Sequence, residues 1–107
     1  MREFETGAIR DNDEGKVDYT GLLCPKALRV YCEYMNRHRV QADGNLRASD
    51  NWKKGIPKDA YLKSMARHFM EVWELHEEGG PHDALTEALC AVMFNVHGYI
   101  HELEKGK

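Results

Sequence analysis

The chain has little of what usually marks a class of protein at first sight. It has only three cysteines, Cys24, Cys32 and Cys90. That odd number, at spacings matching no zinc pattern, excludes a disulfide scaffold and a paired-cysteine zinc site; the three read as free thiols in a reducing compartment. No apolar run approaches the roughly 20 residues of a membrane span. The opening Met-Arg-Glu-Phe-Glu-Thr lacks the apolar stretch of a signal peptide. A cytoplasmic protein without a membrane partner is therefore expected. Neither sign of charge dominates, and a net charge of −3 argues against a general nucleic-acid coat. A P-loop, a dinucleotide glycine fingerprint and a nucleophile elbow are also missing.

What is present fits one small globular unit. The 107 residues are 42% hydrophobic and 31% charged, suiting a polar-skinned single domain over 1–107 that buries roughly two-thirds of its unfolded surface. Residues 1–23 show no helical period and are punctuated by Gly7, Gly15 and Gly21, so they read as an extended arm lying on a helical body, 24–107. Helix one starts at Pro25, where a missing N–H is harmless, and ends in Arg37-His38-Arg39. Residues 41–57 form a long loop, of the kind that often carries function. Helix two runs from Pro57 to Glu77 with an apolar stripe of Leu62, Met65, Phe69, Val72 and Trp73, and Gly79-Gly80-Pro81 stops it. Helix three runs from His82 to Leu103. No strand is evident. The fold expected is all-α, a small bundle of three main helices with an N-terminal arm.

Helix three is apolar on two sides. Leu85, Leu89, Val92, Val96, Tyr99 and Leu103 form a main stripe, and Ala84, Ala91, Phe94 and Gly98 form a second one interrupted by Glu87 and Asn95. Both sides must be covered. Two other helices can hardly do this, so completion by homo-oligomerisation is expected.

Charge is unevenly placed. Lys53, Lys54, Lys58, Lys63 and Arg67 precede a stretch with Glu71, Glu74, Glu77, Glu78, Asp83 and Glu87. His68 falls toward the core, with Glu71 a turn on, and Glu87 stands on the small-residue side of helix three with Asn95 two turns further. Carboxylates near a core must be paired, hydrogen-bonded or bound to a metal. Glu71 and Glu87 on facing helices are therefore candidate ligands for Mg²⁺; the alternative is a His-Glu-Asn cluster that only fixes helix register. Asn51-Trp52-Lys53-Lys54-Gly55-Ile56-Pro57 joins a flat aromatic surface to cations, fit either for a nucleotide or for an ordinary basic loop anchored by its tryptophan. His97 and His101, at i and i+4, are a possible metal pair or an exposed helix face.

Four stretches together resemble a known family: Thr6-Gly7-Ala8-Ile9-Arg10-Asp11 with Gly15-Lys16; Asn51-Trp52-Lys53-Lys54-Gly55-Ile56-Pro57; Ser64 with Arg67-His68; and Glu87-Ala88 with Phe94-Asn95. Their order is similar to that of the small bacteriophage domain named for the N-terminal part of dATP/dGTP diphosphohydrolases, over about residues 6 to 100. The resemblance implies a protein of phage nucleotide metabolism, related in style to MazG-type enzymes, which split a nucleoside triphosphate into monophosphate and pyrophosphate with Mg²⁺ on helix-borne carboxylates. It implies Glu71 and Glu87 as metal-side and catalytic residues with His68 beside them. Arg10, Lys16, Lys53, Lys54 and Arg67 would meet phosphate, Trp52 a base, and Asn95 would complete the substrate contacts. MazG-type sites carry Glu-Glu-x-x-Glu and Glu-x-x-Asp, where this chain has His68-x-x-Glu71-x-x-Glu74 and Glu87-x-x-Cys90. A protein that binds or sequesters a nucleotide without hydrolysing it is thus a second reading, and a structural or interaction module a third.

Overall fold

The computed structural model describes residues 2–107 and is mostly helical. Helix α1 is a single turn, Tyr19–Leu22; α2 spans Pro25–Arg37, α3 Lys58–Glu78 and α4 His82–Lys105. The last three are the three main helices read from the sequence, and the all-α class holds. Proline sets their starts. Pro25 opens α2, whereas Pro57 and Pro81 stand one residue ahead of α3 and α4, positions that need no amide donor. Gly79 ends α3 in the left-handed conformation (φ 66°) and lets its N–H turn back to the carbonyls of Leu75 and His76. With only residues 79–81 between them, α3 and α4 fold back as a helical hairpin, the dominant packing in the chain. Helix α2 lies against α4 with a smaller contact.

The arm departs from expectation in two ways. Its first residue, Met1, lies outside the described residues. Arg2–Glu3 (β1) and Ile9–Arg10 (β2) form a two-residue antiparallel ladder, Arg2 opposite Arg10 and Glu3 opposite Ile9, too short to leave an alternating pattern in the sequence. The arm also does not lie on the body, for residues 3–27 are all exposed. It folds on itself instead, with Arg2 paired to Asp13 at 3.2 Å.

The loop before α3 is stitched down. Val40 and Leu46 bridge across a tight turn, a 3-10 turn spans Asn51–Lys54, and the Ile56 N–H donates to the Glu102 carboxylate near the end of α4 (3.2 Å).

The small core sits where the hairpin meets α2. Tyr61 is 1% exposed, and Tyr31, Ala88, Cys90, Ala91, Asn95 and Gly98 are buried with it. Gly98 is there for close approach: a Cβ at that position would run into the ring of Tyr61. The buried side of α4 is thus mainly its small-residue side. The larger stripe, expected as the main core face, is left half open, with Leu89 49%, Val96 39% and Leu103 47% exposed. Small residues let helices approach closely; the bulkier stripe faces away because α2 and α3 together reach only part of the way around α4.

Candidate functional site

A cleft of about 530 Å³ opens between the three main helices near the α3–α4 turn. Helix α3 contributes His68, Glu71, Glu74, Leu75 and Glu78, which recur every three or four residues and so share one wall. Helix α4 contributes Glu87 above a floor of Ala84, Ala88 and Ala91. Tyr34 of α2 and His38 just beyond it close the third side. Small floor residues give depth, and the walls carry four carboxylates.

Those carboxylates are not equivalent. Arg37 Nη2 donates to Glu87 Oε1 at 2.6 Å, and His38 Nε2 lies 3.6 Å from Glu87 Oε2. The Arg37 hydrogen bond is the main reason the Glu87 carboxyl is held below its usual range, with His38 adding to it. Glu71 Oε2 lies 3.3 Å from His68 Nδ1, an i, i+3 pair that orients the imidazole. Glu74 and Glu78 have no salt-bridge partner among the described residues. The Tyr34 ring packs 4.2 Å from that of His38. Burial raises the Tyr34 hydroxyl pKa most, and the charges of Glu87, Cys90 and Glu71 raise it further.

The structure brings together three of the residues singled out in the sequence, Glu71, Glu87 and His68, at one cleft. It does not bring the basic set there. Trp52 packs edge-on against His101 (4.8 Å), His97 (5.6 Å) and Phe94 (6.4 Å), with Lys53 Nζ 5.7 Å from its ring centre. From Glu87 to His101 along α4 is about 21 Å. Lys53 and Lys54 are exposed at that far end, so a single cleft joining them to the carboxylates within one chain does not form. Arg67 is exposed one turn before Glu71 and does not line the cleft; Arg10 and Lys16 are exposed on the arm. Asn95 is buried, donating to the Ala91 carbonyl of its own helix at 2.8 Å. His97 and His101 meet Trp52 rather than each other's ligand sphere, and among the described residues no three His, Cys, Asp or Glu side chains converge on one point.

Sequence reasoning missed Tyr34, Arg37 and His38. Tyr34 falls at helical spacing with Ala27, Leu28, Val30, Tyr31 and Met35, so in the sequence it looks like one more apolar residue of helix one, and Arg37-His38 looks like a basic helix end. The signal that could have found them is charge: a basic run closing one helix is a natural partner for Glu87, the carboxylate that interrupts the small-residue side of another.

One comparison bears on this arrangement. The family described as dATP/dGTP diphosphohydrolase, N-terminal, matches residues 6–106, nearly the whole chain. No curated protein and no solved structure matches. Among the described residues no helix is long and apolar enough to cross a membrane.

Proposed function

Because the chain belongs to that family, we propose that the cleft takes a purine deoxynucleoside triphosphate and releases pyrophosphate from it, in the cytoplasm of a phage-infected cell. One observation carries this reading: Glu71 and Glu87, on different helices, meet His68 and Tyr34 at one cleft. The residues suit a cation that arrives with its substrate. Mg²⁺ needs only one or two carboxylates when phosphate and water complete its shell. Glu71 and its neighbour Glu74 are the side chains that would hold it, with Glu87 joining if it yields Arg37. Bound there, the cation would offset phosphate charge and make a water more acidic.

The protein's own groups then have distinct roles. His68, oriented by Glu71, accepts the proton of the water that adds to the α-phosphorus. The bond from that phosphorus to the bridging oxygen breaks, and pyrophosphate leaves with the electron pair. Arg37, a planar fork already held on Glu87, exchanges that carboxylate for a phosphate oxygen. The test is pyrophosphate release from dATP and dGTP with Mg²⁺. Loss of release with EDTA, and with either Glu71→Gln or His68→Gln in a folded protein, is expected. Absence of turnover by wild type across the common nucleoside triphosphates at high enzyme concentration overturns it.

A second reading, binding without hydrolysis, has its own support. Glu87 is already neutralised by Arg37. Cys90 stands where the Glu-x-x-Asp pattern has its acid, and burial pushes that thiol up, so it stays protonated and is a poor cation ligand at neutral pH. On this reading a nucleotide raises the melting temperature and is recovered intact after denaturation. Recovery of cleaved product alone rejects it.

A further inference from the structure

Two opposite charges of the cleft region are locked onto each other. Among the described residues, Glu87 is the cleft carboxylate tied to cations from another helix. Both of its oxygens are engaged: Oε1 accepts from Arg37 Nη2 at 2.6 Å, and Oε2 lies 3.6 Å from His38 Nε2. Arg37 has no other carboxylate partner among the described residues. The two side chains are about half exposed, 57% for Arg37 and 45% for Glu87, so either can change partner without the fold coming apart. Glu87 lines the cleft, whereas Arg37, bonded to it, does not. An anion in the cleft therefore meets the carboxylate before the guanidinium, and a cation there meets a carboxylate already neutralised.

A cation that arrives with a polyphosphate needs both groups set free. On the function proposed above, on which this inference rests, Glu87 joins the cation and Arg37 takes a phosphate oxygen. Neither exchange is favourable alone. A cation that draws Glu87 away leaves Arg37 and its neighbour His38 without their counter-charge. An anion that draws Arg37 away leaves Glu87 in a cleft that already holds Glu71, Glu74 and Glu78. When both ligands arrive, one ion pair is broken and two are formed. A contact shared in this way couples the two ligands, because the first to bind removes the obstacle to the second, and the coupling is reciprocal.

We infer that the Arg37–Glu87 pair is an interlock, an internal exchange of partners that makes the cleft accept a divalent cation and a polyphosphate together and disfavours either one alone. In the resting protein the contact is self-inhibiting. Glu87 stands in for phosphate on Arg37, and Arg37 stands in for the cation on Glu87. Because Arg37 closes α2 and Glu87 lies near the start of α4, the exchange also removes one of the ties between those helices.

The test reads binding rather than turnover, on the full chain. Mn²⁺ is the probe cation, followed without nucleotide by the electron paramagnetic resonance of the free ion. Inorganic pyrophosphate is the probe anion, titrated calorimetrically in metal-free buffer. Arg37→Gln should bind Mn²⁺ about two- to fivefold more tightly than wild type, and Glu87→Gln should gain about two- to fivefold for pyrophosphate, the range expected for a half-exposed ion pair. Two controls remove the same charges elsewhere, Arg67→Gln for the cation and Glu78→Gln for the anion, and each should gain less than the paired substitution. Should Arg37→Gln lose its helical circular dichroism, Arg37→Lys serves; it keeps the charge but not the planar fork, and a smaller gain for Mn²⁺ is the supporting result. Failure of either paired variant to gain overturns the interlock, since the exchange must run both ways. Equal gains in the controls overturn it too, because net charge alone would then account for them. Turnover separates this from the proposed function: pyrophosphate release by wild type without the gains leaves the function and removes the interlock, and gains without release do the reverse.

Discussion

Gly98 and Tyr61 make the tightest test of the core. The phenol ring lies over the bare Cα of Gly98, and a methyl there would meet Cε1, Cζ and Oη together. Overpacking a filled site of this kind costs about 1–3 kcal/mol. Against it, replacing a mid-helix glycine by alanine gains about 1 kcal/mol in helix propensity. Gly98→Ala should therefore destabilise by about 1 kcal/mol net, a fall of about 4–8 °C in melting temperature for a domain of this size. In a Tyr61→Leu background the three crowding atoms are gone and only the propensity gain remains. There the same substitution should stabilise by about 1 kcal/mol. The assay is a double-mutant cycle by urea unfolding at one fixed protein concentration, because association would add its own contribution. The expected coupling is about 2 kcal/mol, as for residues in direct contact. If Gly98→Ala shifts stability in the same direction in both backgrounds, the close approach of ring and helix is not what holds these elements together.

Three further outcomes follow from the same geometry. The Glu87 carboxyl, followed by carbon NMR, should titrate below the ordinary range and return toward it in Arg37→Ala; the paired state stabilises the fold above that range and stops doing so as pH falls through the lowered pKa, so wild type and Arg37→Ala should differ in stability at neutral pH and converge in acid. Cys24 and Cys32 are exposed while Cys90 is buried with its pKa pushed up, so two thiols should react promptly with a disulfide reagent at neutral pH and the third only on unfolding. Glu102→Ala removes the acceptor of the Ile56 N–H and should loosen the 51–57 segment, read as increased iodide quenching of Trp52 fluorescence in a Trp73→Phe background.

The helices were legible because their ends are written in residues with one conformational meaning. Pro25, Pro57, the Gly79-Gly80-Pro81 stop and the spacing of the apolar residues place each within two residues. The two-sided character of α4 was legible too. Which side is covered within the chain was not, because periodicity counts apolar residues without asking which side lets a neighbour approach. The large side chains of the Leu85–Leu103 stripe look more like a core than Ala91 and Gly98, yet the smaller residues accept Tyr61. At the site, the His68–Glu71 pair could be read because i, i+3 neighbours meet on any helix. Arg37 and Glu87 are fifty positions apart, and only tertiary packing joins them. The distance of Lys53 and Lys54 from the cleft has the same origin: Glu102 and the aromatic contacts of Trp52 fasten their segment to the far end of α4.

The three-residue link between α3 and α4 bears on how the molecule opens. Closing so short a connection costs little entropy, and the two helices share the chain's largest packing surface. Helix α2 is joined to the hairpin only through the twenty residues before α3, and it rests on α4 through Tyr31 and the Arg37–Glu87 pair. Cooperative units of unequal strength result, with the hairpin outlasting the helix laid on it. In native-state hydrogen exchange the amides of α2 should exchange ahead of those in α3 and α4, the result expected if the α2 side of the cleft opens while the hairpin stays closed.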